Sequence, residues 1–305
     1  MTAPLMTGLP AASSVAPPVL MLPAADLFAR RARRLRQLAD GHSLGDWLDA
    51  MATLCDAQAR LEADPQRPLL VLPPARHAVG ALAHPQAQAA LLAALPAGLE
   101  RLCAALAGGG AGAALVPAVH GLDASALTAR GARQLAWAAG QPDELPHERI
   151  DVLIGATLQV LAASALRGLP VPAALSPRVG PQACPCCGSA AQAGVVLAAE
   201  GKAGLRYLEC SLCGSRWHAV RARCTLCDDP HEVTYQGIEG HHPGVLAETC
   251  DGCHGYIKTM FRDKDPQVEP LADDLATLAL DVLVGEAGHG RAAPHLFLLA
   301  GDLGG

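Results

Sequence analysis

The chain has 305 residues and a net charge of −6; 51% of it is hydrophobic, yet aromatic residues supply only 3%. That apolar content excludes wholesale disorder. The acidic balance leaves no electrostatic footprint for nucleic acid or an anionic membrane, and the length points to about two domains.

The first 23 residues carry prolines at 4, 10, 17, 18 and 23 and no Lys or Arg, the first basic residue being Arg30. A secretory signal needs a basic start and an unbroken apolar core, so residues 1–23 read as a flexible, uncleaved tail. No stretch approaches the ~18–20 uninterrupted apolar residues of a membrane span. The expected location is the cytoplasm, where the eleven cysteines point to metal ligands before disulfides.

Residues 24–168 are rich in Ala and Leu with helical periodicity and read as an α-helical bundle. A first helix over about 24–40 puts Phe28, Ala32, Leu35 and Leu38 on one side and arginines on the other. In the next, Leu44, Trp47, Leu48, Met51, Leu54, Cys55 and Leu61 form an apolar stripe that Gln58 interrupts, with Ser43 placed to cap it. Further helical windows run near 86–107, 123–139 and 146–167. Residues 169–183 carry four prolines and no sustained period, which marks a linker.

Beyond the linker the texture changes to short apolar runs, Gly punctuation and nine of the eleven cysteines. Two small modules are expected at 184–223 and 224–263, then a C-terminal helix and tail at 264–305. That helix is expected to start at Asp265-Pro266, a cap followed by proline, with Val268, Leu271, Leu275, Leu278, Ala279 and Val282 as its stripe. The fold class is α+β multidomain: a helical bundle, two tandem four-cysteine modules and a C-terminal helix.

Four C-x-x-C pairs occur, Cys184/Cys187, Cys210/Cys213, Cys224/Cys227 and Cys250/Cys253, and each cysteine of the first two has a counterpart 40 residues later. This is C-x2-C-x22-C-x2-C twice in tandem. A C-x-x-C turn aims two sulfurs at one point, and two such knuckles complete a tetrahedral site suited to Zn²⁺ or a single iron. A unit of some 30 residues has too little core to fold unaided, so the metal supplies much of its folding energy. Small residues after the knuckles, Gly188, Gly214 and, one place further on, Gly255, fit a tight turn. Other readings are a thioredoxin-type dithiol at Cys184-Pro185-Cys186-Cys187, or a crossed pairing of knuckles. Cys186 is a bystander by spacing, and Cys55 and Cys103 fall on apolar helix faces.

Arg30, Arg31, Arg33, Arg34 and Arg36 form the basic cluster, either an anionic docking surface or the solvated face of the first helix. His218, His241, His242 and His254 lie among the knuckles and could replace a thiolate, although eight matched cysteines already fill two sites. The Gly-rich run 108–112 lacks the Lys-Ser/Thr of a phosphate loop, and His147-Glu148 lacks the second His of a zincin helix. Asp273 and Asp274 are adjacent and so do not share a helix face. None of these forms a catalytic constellation, and no enzymatic activity is expected.

The runs LRYLECSLCGSRWHAVRARCTLC (205–227), ETCDGCHGYIKTM (248–260) and KDPQVEPLADDLATLALD (264–281) resemble the formate dehydrogenase accessory protein FdhE family. The resemblance is specific from Cys184 to about Phe297 and weaker over 24–168. It implies a helical N-terminal domain, two rubredoxin-like modules, and iron held by Cys184, Cys187, Cys210 and Cys213 and by Cys224, Cys227, Cys250 and Cys253. It also implies a cytoplasmic assembly role on the catalytic subunit of a respiratory formate dehydrogenase. Tyr207, Trp217 and Tyr256 flank the knuckles, either shielding sulfur or packing a small core. Two other readings stand beside this one. A zinc-ribbon nucleic-acid-binding module is opposed by eight Lys and Arg against eleven Asp and Glu over 181–270. A rubredoxin-like electron carrier or thiol oxidoreductase needs a donor that the sequence does not name.

Overall fold

The computed structural model describes residues 18–73, 77–107, 116, 122–141, 148–175, 182–198, 204–221, 223–230, 233–292 and 294–299. The Gly-rich run 108–112 and His147 lie outside them. Five helices form the N-terminal half: α1 (Leu27–Ala39), α2 (Gly45–Ala63), α3 (Pro85–Leu106), α4 (Ala124–Ala138) and α5 (Arg149–Leu166). Their starts follow local chemistry. His84 caps α3 through Nδ1, which accepts from Gln86 N–H, with Pro85 at the first helical position. Asp123 caps α4 by accepting from Ala126 N–H at 2.8 Å, and Glu148 and Asp151 form a capping box on α5.

The hub is α5, whose residues from Ile150 to Ala163 are all buried. α3 and α5 are long and apolar enough to cross a membrane by length and composition, but α5 packs against α2, α3 and α4. A helix apolar all round is a core helix when its neighbours are helices of the same domain.

The eight strands make one sheet: β1 (Leu20–Met21), β2 (Ala191–Val196), β3 (Arg206–Cys210), β4 (Arg216–His218), β5 (Val233–Gln236), β6 (Val245–Cys250), β7 (Gly255–Phe261) and β8 (Gly290–Arg291). Its order is β1-β4-β3-β2-β7-β6-β5, with β8 also on β7. The 40-residue repeat maps β2, β3 and β4 onto β5, β6 and β7. The modules therefore join head to tail, the first strand of one pairing in parallel with the last strand of the other through Gly194↔Thr259, Val195↔Met260 and Val196↔Phe261. Gly194 is required there, since a Cβ would fall 2.5 Å from Thr259 Oγ1. The two four-cysteine modules thus share one sheet.

Three expectations are corrected. Residues 20 and 21, placed in a flexible tail, instead pair with Trp217 and Arg216 and cover the edge of β4. Leu20 is buried, and an uncovered strand edge is a liability that this short strand removes. The C-terminal helix does not start at Asp265-Pro266. Asp265 holds Arg34 and a local turn, while Glu269 accepts from Leu271 and Ala272 N–H to start α6 (Pro270–Leu275). Nor is that helix continuous. Lys258 Nζ donates to the carbonyls of Asp274 and Thr277 at 2.9 and 3.0 Å, where the backbone bonds tighten to i→i+3 (Thr277 N–H to Asp274 O, Leu280 N–H to Thr277 O), and α7 (Leu278–Glu286) starts anew. The break turns Val282, expected on the apolar stripe, out to solvent at 61% exposure.

The third correction falls within the arginine cluster, where Arg33 and Arg36 are exposed as expected but Arg31 is not. Arg31 is neither docking surface nor solvated face: it is buried and pairs with Glu209 of β3 at 3.0 Å and Glu269 at 3.2 Å. Leu296, Phe297 and Leu298 are buried too, with Leu296 against Gly155 of α5, so part of the C-terminal segment belongs to the main core.

Candidate metal centres

Each knuckle is a hydrogen-bonded turn built in the same way. The N–H of the residue after the second cysteine reaches back to the first cysteine's carbonyl: Gly188 to Cys184, Gly214 to Cys210, Asp228 to Cys224 and His254 to Cys250, at 2.8 to 3.3 Å. That residue has positive φ in all four, +81° at Gly188, +69° at Gly214, +63° at Asp228 and +54° at His254. Glycine takes this conformation freely, and Asp and His are among the side chains that tolerate it. Gly255 is therefore not the turn residue of the fourth knuckle. It is small because a Cβ would sit 2.4 Å from Leu226 Cδ1. Aligning the four knuckles at the position after the second cysteine would have identified Asp228 and His254.

The turns bring the eight cysteines together as two groups of four: Cys184, Cys187, Cys210 and Cys213, then Cys224, Cys227, Cys250 and Cys253, each with its sulfurs within 4.8 Å of one another. The pairing is within repeats, not crossed. Sulfurs 2.3 Å from a tetrahedral ion stand about 3.8 Å apart. Three sulfur pairs of the first group stand 3.3 to 3.6 Å apart and two of the second 3.7 and 3.8 Å. The four-thiol donor set and this spacing fit a tetrahedral cation such as zinc or iron.

The electrostatics point the same way. Burial pushes the Cys184 and Cys213 thiols well up, while Cys187, facing the sulfurs of Cys184, Cys210 and Cys213, is held well below its ordinary value. In the second group burial pushes Cys224 up to about 12, and the Asp229 N–H lowers Cys227. Thiolates crowded this closely need a cation to ionise together, and a metal supplies that charge.

The surroundings of the two groups differ. All four cysteines of the first group are buried, whereas Cys227 and Cys253 of the second are exposed. The helical domain grips the first knuckle: Gly80 and Leu82 N–H donate to the carbonyls of Pro185 and Cys186. It grips the second knuckle through Gln159 of α5, whose side chain donates to the Ser211 carbonyl at 2.8 Å. The second group is held instead from the linker and the C-terminal segment, Gln182 donating to Leu226 O and Gly290 N–H to His254 O.

Other sequence candidates fall elsewhere. Cys186 is buried but outside both groups, Cys55 is buried in α2, and Cys103 is half-buried on α3. His218 stacks edge-on with Tyr207, His242 faces His42 and His254 faces His289; among the described residues none of the histidines joins a sulfur group. Tyr207 and Tyr256 act as packed struts, their hydroxyls donating to Pro18 O at 2.9 Å and Asp281 Oδ1 at 2.7 Å. Asp273 binds Arg34, and Asp274 is buried against Lys258 and Arg291. Burial works against the Asp274 carboxylate, but Arg291, Lys258 and His295 hold it below its usual range. Sequence reasoning missed these buried ion pairs, because each joins residues from separate elements.

A helical domain carrying tandem zinc-ribbon-like four-cysteine modules is the class that fold and site define. Residues 16–177 match the family described as "FdhE, N-terminal", 183–221 "FdhE, central domain" and 222–298 "FdhE, C-terminal domain". The chain is 40% identical to a protein of Pseudomonas putida called "Protein FdhE homolog", over 95% of this chain and 93% of that one. It is 39% identical to a protein of the same description from Pseudomonas aeruginosa, over 93% and 94%. A solved structure, "The crystal structure of the FdhE protein from Pseudomonas aeruginosa", superposes with a TM-score of 0.73 at 33% identity, covering 93% of this chain and 99% of that one. The chain belongs to the FdhE family.

Proposed function

We propose that this protein is a cytoplasmic accessory factor that binds the catalytic subunit of a respiratory formate dehydrogenase during its maturation. In this reading Cys184, Cys187, Cys210 and Cys213 hold one metal ion and Cys224, Cys227, Cys250 and Cys253 a second, both iron, with zinc as the alternative. The observation that carries it is the pair of preformed four-sulfur groups in a chain that matches the FdhE family from residue 16 to 298. Four thiolates fill a tetrahedral sphere and leave no open position for substrate, so the role is non-enzymatic: structural support for a docking surface, or redox sensing. The helical domain 24–168 and the modules 184–223 and 224–263 are the units proposed to share that work.

The test is a pulldown with purified formate dehydrogenase catalytic subunit, using wild type, C184S/C213S and C227S/C253S, with metal content measured on each. Retention by wild type and loss by the folded C227S/C253S variant supports metal-dependent docking. Equal capture by both variants sinks it. The exposed Cys227 and Cys253 favour one further reading, electron exchange through the second ion. A reversible one-electron couple assigned to that site supports it, and two redox-silent ions exclude it.

A further inference from the structure

Five guanidinium groups, those of Arg30, Arg33, Arg34, Arg216 and Arg262, line a cleft of about 250 Å³ where α1, β4 and residues 262–269 meet. One carboxylate, Glu269, shares that lining, but its oxygens are spent inward: Oε1 accepts from Arg31, and Oε2 from the N–H groups of Leu271 and Ala272. The other carboxylates stand behind the arginines and fix them. Asp265 and Asp273 hold Arg34, and Glu209 holds Arg216 at 2.7 Å. Both arginines use Nε and Nη2 for those contacts, leaving Nη1 without a partner among the described residues.

At the mouth the positive charge is not matched. Among the described residues Arg33 and Arg262 pair with no carboxylate; Arg262 donates only to the Pro266 carbonyl, at 3.3 and 3.0 Å. Arg30 is matched in part, its Nε standing 3.4 Å from Asp26 Oδ1 without hydrogen-bond geometry. Burial and the like charges of Arg216 and Arg30 push the Arg262 guanidinium below its ordinary value. Arginine forks held by carboxylates from behind and facing one another across a cleft are a receptor for a planar or tetrahedral oxyanion, which takes bidentate hydrogen bonds and relieves the repulsion.

We propose that this cleft is an anion-binding site for a phosphate or carboxylate group, reaching it as a free ion or on an acidic peptide. Its volume lies below the roughly 300–1,000 Å³ of sites for drug-sized ligands, so it admits the charged group and not a large scaffold. The site stands independently of the client and metal assignments above.

Isothermal titration of the full chain at low salt, with inorganic phosphate and separately with hexaglutamate, tests it. At least one should bind, with affinity falling as salt rises. R33Q/R262Q, which touches no buried ion pair, should weaken that binding tenfold or more at unchanged circular dichroism and metal content. R36Q, on the exposed pair with Asp56, should leave it unchanged. Phosphate binding identifies a phosphate ligand; hexaglutamate binding alone identifies a peptide carboxylate. Phenylglyoxal mapping needs no variant: the bound anion should protect Arg33 and Arg262 but not Arg36. Binding of neither probe, wild-type binding by R33Q/R262Q, an equal loss in R36Q, or absence of protection overturns the proposal.

Discussion

The sulfurs of Cys184, Cys187, Cys210 and Cys213 lie inside the main hydrophobic core, among residues of all five helices, whereas the second module packs on a separate small core of Ala193, Val245, Ala247, Tyr256, Met260, Val268, Leu280 and Val284. The same spacing and the same turn therefore serve two situations. In the first, a metal held by the four sulfurs would be part of the core that joins the helical domain to the sheet. In the second, it would organise a surface site with two of its four cysteines open to solvent. Internal repetition conserves how a site is made, and the surroundings decide what depends on it.

The largest expected effect follows from that difference. C213S should remove the first metal and loosen the domain junction, a loss comparable to the whole stability of a typical domain, about 5–15 kcal/mol. C253S should release the second metal and leave the helical domain's thermal transition in place. Thermal melts with metal analysis on both variants check this, and equal destabilisation would erase the distinction. A chelator should also remove one ion in a fast phase and the other slowly, with C253S abolishing the fast phase.

Buried charges also tie the first module to its two neighbours, the helical domain and the second module, and these sharpen the contrast. Arg31 bridges Glu209 and Glu269 and thus joins α1 to the first module and to α6. R31M should cost about 3–5 kcal/mol, since both carboxylates lose a buried partner. R206M, which strips the 2.7 Å pair that joins β3 of the first module to Glu248 on β6 of the second, should cost a similar amount while leaving the α1 junction in place. Denaturant titrations measure both, and a negligible cost for R31M would mean that the junction rests on packing alone.

The charge cluster behind the second module makes a pH prediction. Lys258 meets Asp274 and Asp281, Arg291 meets the same two carboxylates, and His295 stands 3.6 Å from Asp274. Burial lowers His295 to about 4, against Asp274 pulling the other way. The folded ring stays neutral until about pH 4, while the unfolded ring takes a proton near its ordinary 6.5. Unfolding therefore binds a proton between those values, and stability falls as pH drops from 6.5 to 4, by roughly 3 kcal/mol in all. H295Q should flatten that part of the stability curve. A variant that follows wild type across the window would remove His295 as the cause.

How much of this could be read from the sequence depends on how local the cause is. The five helices and the four knuckles arise from period, caps and spacing within a few residues, and they were legible. The parallel join of β2 to β7 was not, because it pairs strands more than sixty residues apart and no short pattern encodes it. Arg31 looked like one more basic residue on a helix. Its burial depends on Glu209 and Glu269, 178 and 238 positions away. The break between α6 and α7 has the same character: Lys258, sixteen or more positions earlier, binds the carbonyls of Asp274 and Thr277 inside a stripe that predicts one continuous helix.

The smallest effect comes from the turn residues, His254 on the surface and Gly214 in the core. His254 is exposed with φ +54°, a conformation that costs a non-glycine residue about 1–2 kcal/mol. H254G removes that strain but frees the unfolded chain, a loss of about 0.5–1 kcal/mol, so the net gain should be about 0.5 kcal/mol. In the first module the corresponding Gly214 has φ +69°, and a Cβ there would stand 2.7 Å from Leu27 Cδ2 of α1. G214A should therefore destabilise by about 1–3 kcal/mol through strain and overpacking together. Opposite signs for these two substitutions, read from thermal melts, are what a knuckle on the surface and a knuckle in the core require. A loss in H254G as large as that in G214A would show that the fourth knuckle is held as tightly as the second, and that solvent exposure of Cys253 does not make its turn independent of the rest of the fold.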